Sequence, residues 1–120
     1  YNVFMDERLQ KALEFGNYTV TLNNQKKLLK EKFIDQCVFY TNGYKFTINQ
    51  DLITYCKTLI DLGHTADVVL IDTNENPARI EDLNKFLDEI LHIYFSNLNE
   101  YHTESEKIKS KRSIKDIIEP

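Results

Sequence analysis

Glycine and proline are scarce in this 120-residue chain, at three and two copies. So few breakers argue against a loop-rich fold and for long regular elements. Cysteine is scarce too. Cys37 and Cys56 form no CxxC pair and are too few for a disulfide framework. Both sit inside apolar periodic segments, which reads as buried free thiols in a reducing compartment. No apolar run approaches the ~18 residues of a membrane span, and no charged-then-apolar leader opens the sequence, so no membrane partner is expected. The P-loop, GxGxxG, GxSxG and HExxH signatures are all missing. His64, His92 and His102 have no metal-ligand spacing, and Asp61, Asp67, Asp88 and Glu89 read as solvated acids rather than acid–base pairs. No catalytic residue, metal ligand or cofactor is expected, and the chain reads as non-enzymatic.

What is present describes an ordinary globular chain. Hydrophobic residues make up 42% and charged residues 28%, so general disorder is not expected. The length suits one core, read as a single α+β domain over residues 1–112 with a C-terminal tail at 113–120. The net charge of -4 does not advertise nucleic-acid or membrane binding. The first residue is Tyr1 rather than Met, which reads as a trimmed start or a fragment.

Hydrophobic spacing sets the expected elements. Met5, Leu9, Ala12, Leu22, Leu29 and Phe33 recur at helical intervals, predicting one long helix with a break near Gly16–Thr21. CVFYTNGYKFTI, Cys37 to Ile48, carries Asn42-Gly43 between alternating runs, the signature of a type I′ hairpin. That turn sets Thr41 opposite Tyr44, Phe39 opposite Phe46 and Cys37 opposite Ile48, and a mostly apolar face results. A helix follows with Asn49 as N-cap, a stripe of Leu52, Ile53, Cys56, Leu59 and Ile60, and Gly63 just past its end. DVVLID and ARI then read as strands around a TNENP turn. A last helix from about Asp82 carries Leu83, Leu87, Ile90, Tyr94, Leu98, Tyr101 and Ile108 on one stripe.

The segment TNGYKFTINQDLITYCKTLIDL aligns with TNENPARIEDLNKFLDEILHIY, the turns offset by 32 positions and the helices by 31. Both read as the same ββα unit. The expected order is α-ββ-α-ββ-α, the two β-hairpins forming one antiparallel sheet and the long first and last helices packing antiparallel.

DTNENP, Asp72 to Pro77, places oxygen-bearing side chains at alternate positions, as a calcium loop does. The glycine required at the sixth position is Pro77, and the bidentate acid required at the twelfth is Leu83. Asp, Asn and Pro are also turn formers, so a hairpin turn is expected.

Lys107, Lys109, Lys111, Arg112 and Lys115 form a basic segment without an acid. Clustered basic residues release counterions from phosphate, so one reading is a nucleic-acid contact. The preferred reading is charge pairing between antiparallel helices. There Lys26 to Lys32 meet Glu81, Asp82, Asp88 and Glu89, and the basic end of the last helix meets Asp6 and Glu7. The last helix, ~40 Å long at 1.5 Å per residue, outruns a small ββα core. Tyr101 and Ile108, with Ile114, Ile117 and Ile118 beyond them, are therefore a candidate association surface, and a homo-oligomer is expected.

FMDERLQKALEF, NGYKFTI and KSKRSIKDII resemble segments of small uncharacterised proteins of marine T-even-like myoviruses, the cyanophage group. The resemblance runs over most of the chain and carries no catalytic or binding residues. It implies a phage origin, the cytoplasm of an infected bacterial host or a virion as location, and a phage or host protein as partner. The functional expectation is an interaction, assembly or accessory protein acting by self-association. The alternative is a nucleic-acid-binding accessory factor that uses the basic segment.

Overall fold

The computed structural model describes residues 3–110, with side chains from residue 7 onward. Element order is α1 (Val3–Gln36), β1 (Val38–Thr41), β2 (Tyr44–Thr47), α2 (Gln50–Asp61), β3 (Ala66–Ile71), β4 (Pro77–Asp82) and α3 (Leu83–Ser110). This is the expected α-ββ-α-ββ-α order. The described residues divide into an α+β unit, residues 33–100, and a helical unit, residues 3–32 with 101–110.

In the α+β unit each hairpin follows from its turn. Asn42 and Gly43 have φ of 49° and 82°, the positive values a type I′ turn requires. Thr41 pairs with Tyr44 and Phe39 with Phe46, and the Ile48 N–H donates to the Cys37 carbonyl at 2.8 Å. The inward face therefore buries Cys37, Phe46 and Ile48. Asn49 caps α2, its side chain accepting from Leu52 N–H at 2.8 Å, and Gly63 at φ 91° lets the chain leave the helix. Leu70, Ala78 and Ile80 from β3 and β4, Cys56 from α2, and Leu83, Phe86, Leu87 and Ile90 from α3 complete one core. Phe86 meets Phe46 and Phe39 edge to face, with ring centroids 5.1 and 5.8 Å apart.

The hairpins do not share a continuous ladder, as a single sheet would require; they form two two-stranded sheets. The outer edge of β2 meets the 72–76 loop instead of a strand. Thr73 N–H donates to the Lys45 carbonyl at 2.8 Å, Lys45 N–H to Asp72 Oδ2 at 3.2 Å, and Thr47 N–H to Thr73 Oγ1 at 2.9 Å. The edge is satisfied and blocked together.

Loop and turn differ in length although the two ββα units share their order. A two-residue turn joins β1 to β2, whereas β3 and β4 are joined by residues 72–76, with Asp72 N–H donating to the Asn76 carbonyl at 2.9 Å. Within this loop Glu75 adopts φ 64°. A left-handed residue with a Cβ carries ~1–2 kcal/mol of strain, which glycine avoids at some entropic cost. Glu75→Gly is therefore expected to stabilise the fold by about 0.5–1 kcal/mol, read as a higher urea midpoint at unchanged slope.

The long first helix corrects two expectations. It runs unbroken through Gly16–Thr21. Its apolar residues also do not share one face. Leu22, Leu29 and Phe33 are half-buried, while Leu9 and Ala12 are exposed. At ~100° per residue, Leu9 and Leu29 lie about 200° apart around the axis. The N-terminal apolar set points the opposite way.

In the helical unit α1 and α3 run antiparallel, with Gln25, Leu28, Leu29 and Lys32 facing Glu104, Lys107 and Ile108 across a groove. Of the lysine stretch of α1, Lys32 lines this groove, on the side where Glu104 and Lys107 stand. The first two turns of α3 bury Leu83, Phe86, Leu87 and Ile90 in the α+β core. The companion pairing of the basic tail with Asp6 involves residues outside the described side chains.

Candidate functional site

Asp72 is the buried charged residue of the α+β unit, 5% exposed. It is the first residue of the segment that resembles a calcium loop. Its Oδ1 accepts from Asn74 N–H at 3.0 Å and Asn76 N–H at 2.8 Å, and its Oδ2 from Lys45 N–H. Burial alone would raise its carboxyl pKa. The backbone N–H groups of Asn76, Lys45 and Asn74, with the Asn76 side chain, outweigh that and hold it below the ordinary aspartate value. The alternating Asp–Asn–Asn spacing thus serves an Asx turn that also locks one hairpin to the other. The bonds have a structural role.

Among the described residues no group of three or more His, Cys, Asp or Glu is placed to hold a metal, and no helix is long and apolar enough to cross a membrane. His64, His92 and His102 are exposed, and His102 Nε2 lies 3.7 Å from Glu106 Oε1. Cys37 and Cys56 are free and buried. Burial raises both thiol pKa values, Cys56 to about 11, which keeps both protonated and poorly nucleophilic at neutral pH.

Lys107 and Lys109 lie on the last turns of α3, each beside an acid one turn earlier. Lys107 Nζ is 2.9 Å from Glu104 Oε1, and Lys109 Nζ is 3.5 Å from Glu106 Oε1. These exposed i,i+3 pairs contribute ~0–1 kcal/mol each and offset part of the positive charge. Lys111, Arg112 and Lys115 lie outside the described residues, as do Ile114, Ile117 and Ile118. Tyr101 is half-buried, and Ile108 lines the α1–α3 groove, about 450 Å³, with Leu28 and Leu29. Gln25, on the same groove, keeps its side-chain oxygen buried and without a hydrogen-bond partner. A second cleft, about 340 Å³, lies in the α+β unit between the β1–β2 turn, β4 and the start of α3. Phe39, Ile80 and Phe86 line it together with Arg79, Lys85 and Glu89, a mixed-charge opening without a buried polar group.

Sequence reasoning set Leu9 on the same stripe as Leu29 and missed Leu13 and Val20; all three lie on the far side of α1. Leu9, Leu13 and Val20 are 59%, 54% and 58% exposed. With Gly16 they follow the 4-3-4 spacing that keeps one helix face, and nothing lies within 4 Å of the position a Gly16 Cβ would take. The signal was available. Residues 12–25 hold a single charge, Glu14, where the chain average of 28% would place about four. Hairpin β3–β4 adds a smaller exposed pair, Val69 at 52% and Ile71 at 70%.

Compared with protein-family models, curated proteins and solved structures, the chain has no significant match.

Proposed function

We propose that this is a non-enzymatic interaction or assembly protein, acting through self-association and contacts with other proteins. One observation carries the reading. The helical unit exposes Leu9, Leu13 and Val20 on one face of α1, each more than half open to solvent. Scattered apolar residues are ordinary on a surface, but a spaced stripe in a charge-poor stretch is the composition of an interface core. The cyanophage resemblance supplies the setting: an infected bacterium or a virion, with a phage or host protein as further partner. Size-exclusion chromatography with light scattering tests the reading. A mass that rises above 14.2 kDa with concentration is expected, and a constant monomer would contradict it.

A further inference from the structure

Asn42-Gly43 stands where an asparagine can react with its own backbone. Both residues are exposed at the tip of the β1–β2 turn, with φ of 49° and 82°. No hydrogen bond among the described residues engages the Asn42 side chain or the Gly43 N–H. Nothing lies within 4 Å of the place a Gly43 Cβ would occupy, so that side of the turn is open. Glycine also leaves the backbone free to rotate, which lets its nitrogen come round to face the Asn42 Cγ.

The other described asparagines each lack one of these features. Asn17, Asn23, Asn24, Asn97 and Asn99 lie inside helices, where the following N–H belongs to the helical ladder. After Asn84, the Lys85 N–H donates to Asp82 Oδ1 at 3.1 Å. Asn74 is followed by Glu75, whose N–H donates to the Asp72 carbonyl at 3.1 Å, and Asn76 by Pro77, which has no N–H. Asn49 keeps its side-chain oxygen on the Leu52 N–H. Among the described asparagines, Asn42 alone joins an unheld side chain to an unengaged, unhindered successor.

We propose that Asn42 is a site of spontaneous covalent change, which makes the β1–β2 hairpin a timed weak point of the α+β unit. The Gly43 nitrogen attacks the Asn42 Cγ and a carbon–nitrogen bond forms. The side-chain nitrogen leaves as ammonia, carrying the proton that Gly43 gives up. Solvent water, the one co-reactant, then opens the cyclic imide at either carbonyl. Opening on one side leaves an aspartate at position 42. Opening on the other routes the main chain through Cβ and Cγ, an isoaspartate. Asp-Gly suits a type I′ turn as Asn-Gly does, so the aspartyl product keeps the hairpin. The isoaspartyl product adds a methylene to the main chain of a two-residue loop, and loop length sets the register. The Thr41–Tyr44 and Phe39–Phe46 pairs depend on that register, and Phe46 is buried in the core. None of this involves α1, so it stands apart from the self-association proposed above.

The test is ageing of the intact protein. The full chain is held at neutral pH in heavy-oxygen water, either folded or unfolded in urea, and sampled over weeks. Trypsin cuts after Lys32 and Lys45, so the peptide 33–45 carries Asn42. Mass spectrometry with fragmentation reads the exchange of amide for acid and the oxygen taken from solvent. Conversion at Asn42 in the folded chain ahead of Asn23, Asn74 and the other described asparagines supports the site. The isoaspartyl fraction, separated by chromatography, is expected to melt about 4–8 °C below the starting protein. The aspartyl fraction and the variant Asn42→Asp are expected to melt with it. Isoaspartate at position 42 without a lower midpoint overturns the weak point. Asn42 intact in the folded chain overturns the proposal, and conversion in urea alone would show that the closed turn protects it. Conversion no faster than at Asn23 overturns the role given to Gly43.

Discussion

Phe46→Ala is expected to lower the melting temperature by more than 10 °C, the largest single-residue effect in the chain. Phe46 is 2% exposed and stands at the centre of the inward hairpin face, where Phe86 from α3 packs against its ring at 5.1 Å. Truncating a buried phenylalanine costs ~3–5 kcal/mol, the lost transfer energy plus the cavity left behind. The core is small, and hairpin, helix and second hairpin all meet there. Total stability of such a domain is ~5–15 kcal/mol, so this loss takes a large fraction of it. Each ~1 kcal/mol moves the midpoint of a domain this size by ~4–8 °C. Phe39→Ala, at a half-buried ring on the same face, should cost less, and Phe95→Ala, 53% exposed, very little. Thermal unfolding followed by circular dichroism ranks the three. An equal effect from Phe46 and Phe95 would contradict this placement of the core.

The second large effect is at Asp72 and depends on pH. Asp72→Ala removes the acceptor of three backbone N–H bonds, and the Lys45, Asn74 and Asn76 donors lose that partner. A midpoint drop on the order of 10 °C at pH 7 is expected. Asp72→Asn should be intermediate. Its amide oxygen can still receive Asn74 and Asn76, but its amide nitrogen is a donor turned toward the Lys45 donor.

The pH dependence follows from the lowered carboxyl pKa. A carboxyl held below its ordinary 3.8 when folded stabilises the fold at pH above that value. The contribution is lost as pH falls from there through the folded pKa. Urea midpoints of wild type and Asp72→Asn should therefore differ most at pH 7 and converge as pH falls below about 3.8. A constant gap across that window would mean that Asp72 acts through shape alone.

The sequence marked clearly those features whose determinants are local. Asn42-Gly43 fixed the register of the first hairpin because both turn residues need positive φ. Asn49 and Gly63 marked α2 by capping chemistry, and Leu83, Leu87 and Ile90 marked the buried side of α3 by period. The bridge between hairpins was not legible, because Asp72 and Thr73 meet Lys45 and Thr47 across 26 or more positions, and no period links them. The face of α1 was misread for another reason. Leu9 and Leu29 are both helix-spaced relative to near neighbours, and the Gly16–Thr21 stretch conceals the half-turn of phase between them.

Under the proposed self-association, that half-turn gives α1 a second face. A helix with apolar residues on opposite sides satisfies its own fold with one side and offers the other. The charge-poor run 12–25 is consistent with this use, since charged residues are depleted where interfaces desolvate. Lys107 and Lys109, each beside a glutamate, belong to the flank of α3 rather than to this face.

The weight-average mass of the full chain, measured by light scattering from about 1 to 500 µM, tests the central claim most directly. The account predicts 14.2 kDa at the dilute end and a rise above that value at the concentrated end. A mass that stays at 14.2 kDa throughout would contradict it.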